Sequence, residues 1–245
     1  MVLSLVIPAY NEEDRLPGTL SEITRHLSSM ELEYEVLVVD DGSTDATTRV
    51  VNEVNGRDPA VRLLKTPHRG KGFAIRHGML AARGERLAFV DADLPMPVAD
   101  ITRLAGQLEN HSVVIASREG PGAERIDEPY IRHVMGRGFN AVVRLLAGLD
   151  FQDTQCGLKC FTAESARAVF TRQTINGFGF DVEILFIAQR LGYPIGEVPI
   201  AWRHVPASRV DPVRDTVRML ADVARVRWND WRGAYSRPGS VHPSD

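Results

Sequence analysis

The sequence predicts an α/β fold, with a mostly parallel central sheet flanked by helices in a single domain. The first reason is that short apolar segments alternate with helical ones, an order typical of parallel strands joined by right-handed crossovers. The apolar segments are residues 3–7, 34–39, 61–64, 87–90, 112–116 and 195–200. The second reason is length, because 245 residues suffice for one substantial core.

The segments between the strands carry the signals of helices. Pro17 opens the first helix, and Leu20, Ile23 and Leu27 mark its buried face. A further helix is predicted over residues 129–148. Its apolar positions are expected to be buried, namely Ile131, Val134, Phe139, Val142, Leu145 and Leu146.

The composition excludes several classes of protein. Charged residues make up 25% of the chain, with 29 Lys+Arg against 32 Asp+Glu, which argues against disorder and against a general affinity for nucleic acid. No apolar run approaches the roughly 20 residues that span a bilayer, and the N-terminus lacks the features of a signal peptide. We therefore expect a cytoplasmic protein that is at most peripheral on the cytosolic face of a membrane.

Two carboxylates follow the strand at residues 87–90. Asp91 and Asp93 end this apolar run, and Pro95 and Pro97 prevent the strand from continuing. In open α/β sheets, ligands bind at the carboxyl ends of the strands. Two oxygen ligands at this edge suit a divalent cation, Mg²⁺ or Mn²⁺, that bridges nucleotide phosphates. The alternative is an ordinary turn, in which aspartate is also common.

Polar side chains follow the other early strands too. They are Tyr10 and Glu12 after the first strand, Asp40 and Asp41 after the second, and Arg69 and Lys71 after the third. Because the strands are predicted to be parallel, these side chains should meet at one edge. Such an edge can hold a base, a ribose and a metal-bound pyrophosphate together.

Four short motifs carry a resemblance to a known family. They are Val-Ile-Pro-Ala-Tyr-Asn-Glu-Glu at residues 6–13, Val-Asp-Asp-Gly-Ser-Thr-Asp at 39–45, Gly-Lys-Gly at 70–72 and Asp-Ala-Asp at 91–93. In order and spacing they resemble the inverting glycosyltransferases of family 2, which have the Rossmann-like GT-A fold. The resemblance implies that a sugar nucleotide is the donor and that a divalent metal assists its departure.

The resemblance also implies roles for individual residues. The nucleoside would be held by Pro8, Ala9, Tyr10, Glu12 and one of Asp40 or Asp41. Lys71 would lie near the nucleotide, and Asp91 and Asp93 would serve the ribose, the metal and the pyrophosphate, with Asp93 the catalytic metal ligand.

The second half of the chain is similar to the polyprenyl-phosphate branch of the family. Asp-Thr-Gln-Cys-Gly-Leu-Lys at 153–159 and Phe-Asp-Val-Glu at 180–183 nearly reproduce segments of the dolichyl-phosphate β-glucosyltransferases. Leu158 and His204 depart from the pattern of that branch. The loop that ends at Arg209 resembles one that would fold over the diphosphate.

Several arginines follow the strand at residues 112–116. Arg118, Arg132 and Arg137 are predicted to clamp an anionic acceptor, whereas Arg125 and Arg144 fit a solvated helix face. Among the acids of the second half, one is assigned a catalytic role and two are not. Asp153 is predicted to position the acceptor or to act as a base, with a turn cap as the alternative; Asp181 is expected to cap a helix and Glu183 to support structure.

The C-terminal stretch is predicted to form an amphipathic helix over residues 211–232, after a catalytic domain at 1–210 and before a flexible tail at 233–245. One stripe of the helix is apolar and comprises Val213, Val217, Leu220, Ala224, Trp228 and Trp231. Arg214, Arg218, Arg225 and Arg232 line up beside that stripe. The helix either packs on the domain through the stripe or docks the protein against a membrane.

These observations together predict a metal-dependent transferase that moves a hexose, glucose from UDP-glucose, onto a polyprenyl phosphate with inversion. A GDP-mannose-dependent mannosyltransferase is the nearest alternative, because the nucleoside motifs do not separate uracil from guanine. A nucleotide-sugar-binding regulatory module without catalysis is the alternative from another class, and the intact Asp91 and Asp93 count against it.

Overall fold

The computed structural model describes residues 2–30, 32–128, 130–203 and 212–236. The strands are β1 (Val2–Ala9), β2 (Glu33–Asp40), β3 (Val61–Lys65), β4 (Arg86–Phe89), β5 (Val113–Ser117), β6 (Glu124–Ile126), β7 (Lys159–Thr162), β8 (Ile195–Pro199) and β9 (Ala201–Arg203). The α-helices are α1 (Leu16–Ser29), α2 (Thr47–Asn55), α3 (Lys71–Ala81), α4 (Ala99–Gly106), α5 (Tyr130–Ala147), α6 (Ala163–Arg172), α7 (Phe180–Arg190) and α8 (Pro212–Trp231).

The central sheet has the order β3-β2-β1-β4-β7-β5-β8. All its pairings are parallel except those of β7, which is antiparallel to both β4 and β5. The prediction of a mostly parallel sheet is thus confirmed, but it missed β7. It also missed the small parallel sheet of β6 and β9, because three-residue strands carry no readable periodicity.

Two apolar layers enclose the sheet. Successive residues of β1 point to opposite faces, so Val6 packs with the α3 and α7 side while Leu5 and Ile7 pack with the α1 and α4 side. Both faces are covered, which is why the strands read as continuous apolar runs. The arrangement leaves the carboxyl ends of β1, β2 and β4 at one edge of the sheet.

Helix α5 differs from its prediction. It buries Val143 and Ala147, whereas Val142 and Leu146 are about half exposed and Leu145 is 84% exposed. The periodicity identified an amphipathic helix but placed its contact face one residue away. The side chains of Ile131, Val134 and Phe139 lie outside the described residues.

Helix α8 packs on α5 and α7 through a face that the sequence did not indicate. Val223 and Val226 are fully buried, while Trp228 and Trp231 of the predicted stripe are 56% and 69% exposed, with ring centroids 5.0 Å apart. Tyr235 lies within the predicted flexible tail, yet it is buried and donates to Glu183, while residues 237–245 lie outside the described residues. No helix in the described part of the chain is long and apolar enough to cross a membrane.

Candidate active site

A cavity of about 520 Å³ lies at the carboxyl ends of β1, β2 and β4. The loops after these strands supply much of its wall, and α8 together with the loop before α7 closes another side. Its residues include Pro8, Ala9, Tyr10, Glu12, Arg15, Asp41, His68, Gly70, Lys71, Asp91, Asp93, Phe178, Arg218, Met219 and Asp222. Eight of the predicted nucleotide or metal residues are brought together here: Pro8, Ala9, Tyr10, Glu12, Asp41, Lys71, Asp91 and Asp93.

Asp91 and Asp93 stand in the turn that follows β4. Lys71 Nζ lies 2.5 Å from Asp91 Oδ1, and the nearest Arg15 nitrogen is 3.9 Å from Asp93 Oδ2. Asp93 Oδ1 is buried and has no hydrogen-bond partner among the described residues. Burial raises the pKa of Asp93, and the negative charge of Asp91 adds to the rise against the opposing charges of Lys71 and Arg15. Two carboxylates this close favour a cation between or beside them.

The chemistry of these donors fits a divalent cation. Buried oxygens without a hydrogen-bond donor are costly unless a cation or water satisfies them, and Asp93 Oδ1 is one such atom. Among the described residues, no group of three or more His, Cys, Asp or Glu side chains could hold a metal. A cation held by Asp91 and Asp93 would therefore complete its coordination with phosphate oxygens and water, as Mg²⁺ commonly does.

Asp40 ends β2 and Asp41 follows it, and of these two aspartates only Asp41 lines the cavity. Asp40 is buried and fixes the following loop, since its carboxylate accepts from Ser43 N at 2.8 Å and from Thr48 Oγ1 at 2.6 Å. Asp41 lines the cavity and accepts from the backbone N–H groups of Arg69 and Gly70 at 2.9 and 2.8 Å. The geometry favours Asp41 for the nucleoside and gives Asp40 a structural role.

The Gly-Lys-Gly motif opens α3 beside this loop. Gly70 has φ of +110°, a conformation that disfavours other residues, and a Cβ on Gly72 would lie 2.7 Å from Phe180 Cβ. The first glycine turns the chain and the second lets α3 approach α7. Together they fix Lys71 where its ammonium reaches Asp91.

His68 was missed by the sequence analysis. Its ring stacks on Tyr10 with centroids 4.1 Å apart and an interplanar angle of 23°, and its Nδ1 lies 2.9 Å from Asp41 Oδ2. Tyr10, His68 and Asp41 form one side of the cavity. An aromatic pair can stack on a base, and the neighbouring carboxylate can accept a hydrogen bond from that base.

Arg15 was missed as well. Its Nε and Nη2 donate to the two carboxylate oxygens of Glu12, each at 2.6 Å, and a third nitrogen is 3.9 Å from Asp93. Glu12 thus holds Arg15 in the cavity rather than presenting a free carboxylate to the nucleoside. No sequence pattern indicated this, because the pair forms only when α1 begins at Leu16.

Asp153 is buried against Arg118. The guanidinium donates to both oxygens, at 2.6 and 2.9 Å, and the backbone N–H groups of Arg118 and Gln155 donate as well. Burial raises the pKa of Asp153, but the Arg118 charge and hydrogen bonds outweigh burial and hold it well below its usual range. A general base needs a pKa near the working pH. These contacts disfavour Asp153 as a base and leave it a positioning role through Arg118.

The remaining arginines fall in several environments. Arg137 is exposed on α5, and the Arg132 side chain and all of Arg209 lie outside the described residues. Arg144 pairs with Asp150 on the surface. Arg125 was expected on a solvated helix face, but it lies in β6 and pairs with Glu119 and Glu128 at 2.8 and 2.6 Å.

Two acids of α7 differ in role. Glu183 accepts from the backbone N–H groups of Thr174 and Ile175, which agrees with the structural support predicted for it. Asp181 was expected to cap the helix; instead, its carboxylate pairs with the buried ammonium of Lys159 at 2.5 Å. No local pattern in the sequence indicates this pair, because its members are 22 residues apart.

The model of glycosyl transferase family 2 matches residues 4–170. The chain belongs to this family. The protein is therefore a glycosyltransferase, and the predicted resemblance is confirmed. Its relatives include the dolichyl-phosphate β-glucosyltransferase of Dictyostelium discoideum, 35% identical over 243 residues that cover 92% of this chain and 74% of that protein. The human dolichyl-phosphate β-glucosyltransferase is 34% identical over 249 residues, covering 95% and 77%.

Solved structures of similar fold include glucosyl-3-phosphoglycerate synthase from Mycobacterium tuberculosis in complex with Mn²⁺, UDP and glucosyl-3-phosphoglycerate. It superposes on this glycosyltransferase with a TM-score of 0.69 at 22% identity, over 92% of this chain and 79% of that one. The same enzyme with Mg²⁺ and UDP gives a TM-score of 0.65 at 21% identity, covering 98% and 81%. At this identity the likeness concerns the fold, and the GT-A prediction is confirmed.

Proposed function

We propose that this family 2 glycosyltransferase moves glucose from UDP-glucose onto a polyprenyl phosphate with inversion, using Mg²⁺ or Mn²⁺. The observation that carries the proposal is that Asp91 and Asp93 line one cavity together with the group formed by Tyr10, His68 and Asp41. That arrangement offers one region for a diphosphate and its cation and another for a base. The names of the relatives support glucose and a dolichyl-phosphate-type acceptor.

Different residues of the chain would bind the cation, the diphosphate and the base. Asp91 and Asp93 would hold the cation, which when bound acts as a Lewis acid on the leaving diphosphate. Lys71 and Arg15 line the same cavity and would compensate the negative charge of the diphosphate. Tyr10 and Asp41 would orient the base. An acceptor phosphate oxygen then bonds to the anomeric carbon while the bond to UDP breaks, and its electron pair leaves with UDP.

A phosphate acceptor suits the environment of Asp153. A hydroxyl acceptor must lose a proton to a base, whereas a phosphate monoester, with a second pKa of about 6, is largely anionic at neutral pH. Asp153 is poorly placed as a base because Arg118 occupies its carboxylate. Arginine is well suited to an anionic acceptor. Arg118, Arg132 and Arg137 remain our candidates for orienting that phosphate.

The exposed apolar residues favour action at a membrane surface. Trp228 and Trp231 on α8, and Val142, Leu145 and Leu146 on α5, are exposed on two helices that pack together. Arg225 and Arg227 are exposed on α8 as well, and Arg232 is exposed directly after its end. Basic residues near an anionic surface each contribute about 1 kcal/mol. We propose that these two helices form a peripheral contact with the membrane that holds the lipid acceptor, on its cytosolic face.

The test is an assay of the purified protein with polyprenyl phosphate and separate sugar nucleotides, including UDP-glucose and GDP-mannose. We expect a glucosylated lipid product with UDP-glucose, its loss in EDTA, and its return when Mg²⁺ or Mn²⁺ is restored. Product from GDP-mannose alone would overturn the donor assignment. Full activity in EDTA would overturn the metal assignment, and binding of nucleotide sugars without any product would favour the regulatory module.

A further inference from the structure

Lys159 is a charged residue buried in the middle of the fold. Its side chain has no exposed surface, and its ammonium lies 2.5 Å from Asp181 Oδ1, 2.8 Å from the carbonyl oxygen of Cys156 and 5.5 Å from the centre of the Phe89 ring. A buried ion pair often stabilises a protein less than apolar side chains of the same size would. Stability alone is therefore a weak reason for Lys159 and Asp181, and their surroundings point to another.

The first connection between this pair and the active site is steric. Lys159 fixes the Cys156 carbonyl, and the next residue, Gly157, lies directly behind the carboxylate of Asp91. A Cβ on Gly157 would be 2.7 Å from Asp91 Cγ and closer still to Oδ2. The backbone that Lys159 holds is thus the surface against which Asp91 rests.

The second connection runs through α7. Asp181 follows Phe180 in the first turn of α7, and a Cβ on Gly72 would lie 2.7 Å from Phe180 Cβ. The turn of α7 that Asp181 ties to Lys159 thus packs against the start of α3, which carries Lys71.

We infer that Lys159 and Asp181 are positioning residues for the proposed metal site, because they fix the backbone against which Asp91 rests and the turn of α7 that packs beside Lys71. This role rests on the proposed function, since it concerns a cation held by Asp91 and Asp93. Replacing a residue that holds a metal ligand in place without touching the metal typically lowers metal affinity by about 10- to 100-fold.

The decisive variant is Lys159→Met combined with Asp181→Asn. It removes one positive and one negative charge, so the net charge near the site does not change and no unpaired ion is left buried. A change in metal affinity must then come from geometry. Arg86→Gln with Glu109→Gln is the matched control, because this ion pair (3.1 Å) lies at the opposite end of β4 from Asp91. Asp181→Glu is made as a second variant in case the double variant does not fold, because it keeps both charges and displaces the carboxylate.

Binding of Mn²⁺ to the UDP complex of the full chain is measured by the electron paramagnetic resonance signal of free Mn²⁺. UDP binding in EDTA is measured by calorimetry, and thermal unfolding reports the fold. We expect Mn²⁺ affinity to fall at least about tenfold in the double variant and in Asp181→Glu, with UDP affinity in EDTA unchanged and the control like the parent.

The outcomes separate this inference from the proposed function. A parent that binds UDP and Mn²⁺, with a folded variant that binds Mn²⁺ equally well, would overturn the positioning role alone. Equal losses of Mn²⁺ and UDP affinity would also overturn it, since they indicate general damage to the cavity. A parent that binds no Mn²⁺ in the presence of UDP would remove the metal from the proposed function, and this inference with it.

Discussion

The Arg118 guanidinium holds the buried Asp153 carboxylate with two hydrogen bonds, 2.6 Å from Nε and 2.9 Å from Nη2. The two residues are 35 positions apart, and their contact joins the end of β5 to the loop before β7. Because the pair keeps Asp153 ionised, it bears on stability as well as on the chemistry of the acceptor. The two effects can be measured separately.

We predict that Asp153→Asn destabilises the fold in a pH-dependent way. The pKa of Asp153 is lower in the folded protein than in the unfolded chain, so its contribution is fully present above the unfolded pKa, about 3.9, and is lost as the pH falls through the folded value. Breaking a buried ion pair costs about 3 to 5 kcal/mol, and the partial exposure of Arg118 favours the lower end. Urea unfolding of parent and variant at pH 7, 5.5 and 4.5 should give nearly the same difference in free energy.

That difference should shrink only at lower pH, where Asp153 of the unfolded parent becomes protonated. A difference that disappears between pH 7 and 5.5 would contradict the assignment, because it would point to a group with a higher pKa. Asp150→Asn is the control, since its side chain is fully exposed and pairs only at the surface with Arg144. It should change the free energy of unfolding little at any of these pH values.

The second prediction concerns Asp93→Asn. A metal ligand contributes several kcal/mol to stabilising the transition state, and about 1.36 kcal/mol corresponds to a factor of ten in rate. Turnover should therefore fall at least about a hundredfold. The variant should keep its thermal unfolding temperature, because Asp93 Oδ1 makes no hydrogen bond that the fold would lose.

Turnover is measured as lipid product formed with saturating Mn²⁺. Glu53→Gln is the control: it removes one carboxylate from the exposed surface of α2, far from the end of β4. Near-normal turnover of a folded Asp93→Asn would show that Asp93 is not a metal ligand.

The sequence predicted which carboxylates meet at the cavity, because the signals for them are local. Asp91, Asp93 and Asp41 each follow a strand directly, so the parallel sheet brings them together without further information. Lys159 and Asp181 were not predictable in this way. A lysine in a short strand has no local sign of burial, and its partner comes from a helix 22 residues later.

Two other differences have physical reasons. The periodicity of α5 identified an apolar side but could not say that Val143 and Ala147 would be buried while Leu145 stayed exposed. In the sequence, Arg15 is simply a polar residue before a helix. In the structure, the turn made by residues 12–15 places its side chain near Asp93. In both cases the missing information is which neighbouring element packs there, and a single sequence does not contain it.

The third prediction concerns the acceptor and uses two arginines of the same helix. Arg137 is exposed on α5 and is proposed to bind the acceptor phosphate, whereas Arg144 pairs with Asp150. A charge-assisted hydrogen bond is worth about 1.5 to 3 kcal/mol. Arg137→Ala should then raise the KM for polyprenyl phosphate about tenfold or more and leave the affinity for UDP unchanged.

Arg144→Ala is the matched control and should change neither value. The test compares initial rates over a range of lipid concentrations with UDP binding by calorimetry. Equal weakening of lipid and nucleotide by Arg137→Ala, or no effect on either, would place the acceptor phosphate elsewhere.

The last prediction concerns the membrane contact proposed for α5 and α8. Removal of α8 is a poor test, because this helix buries Val223 and Val226 and also lines the cavity through Met219 and Asp222. Trp228→Ser with Trp231→Ser is better, since both side chains are more than half exposed. Burial of apolar surface contributes roughly 25 cal/mol per Å², and an aromatic side chain can bury about 150 to 250 Å². Liposome affinity should therefore fall at least about tenfold while the fold is kept.

Flotation with liposomes of anionic and of neutral lipid measures the effect. The parent should bind anionic liposomes more strongly, because Arg225 and Arg227 are exposed on the same helix as the tryptophans and Arg232 is exposed directly after it. Leu80→Ser is the control, since this leucine is 40% exposed on α3, away from both helices. If the double tryptophan variant floats like the parent, or if Leu80→Ser lowers binding equally, the contact does not involve this face of α8, and the exposed residues of α5 must be tested alone.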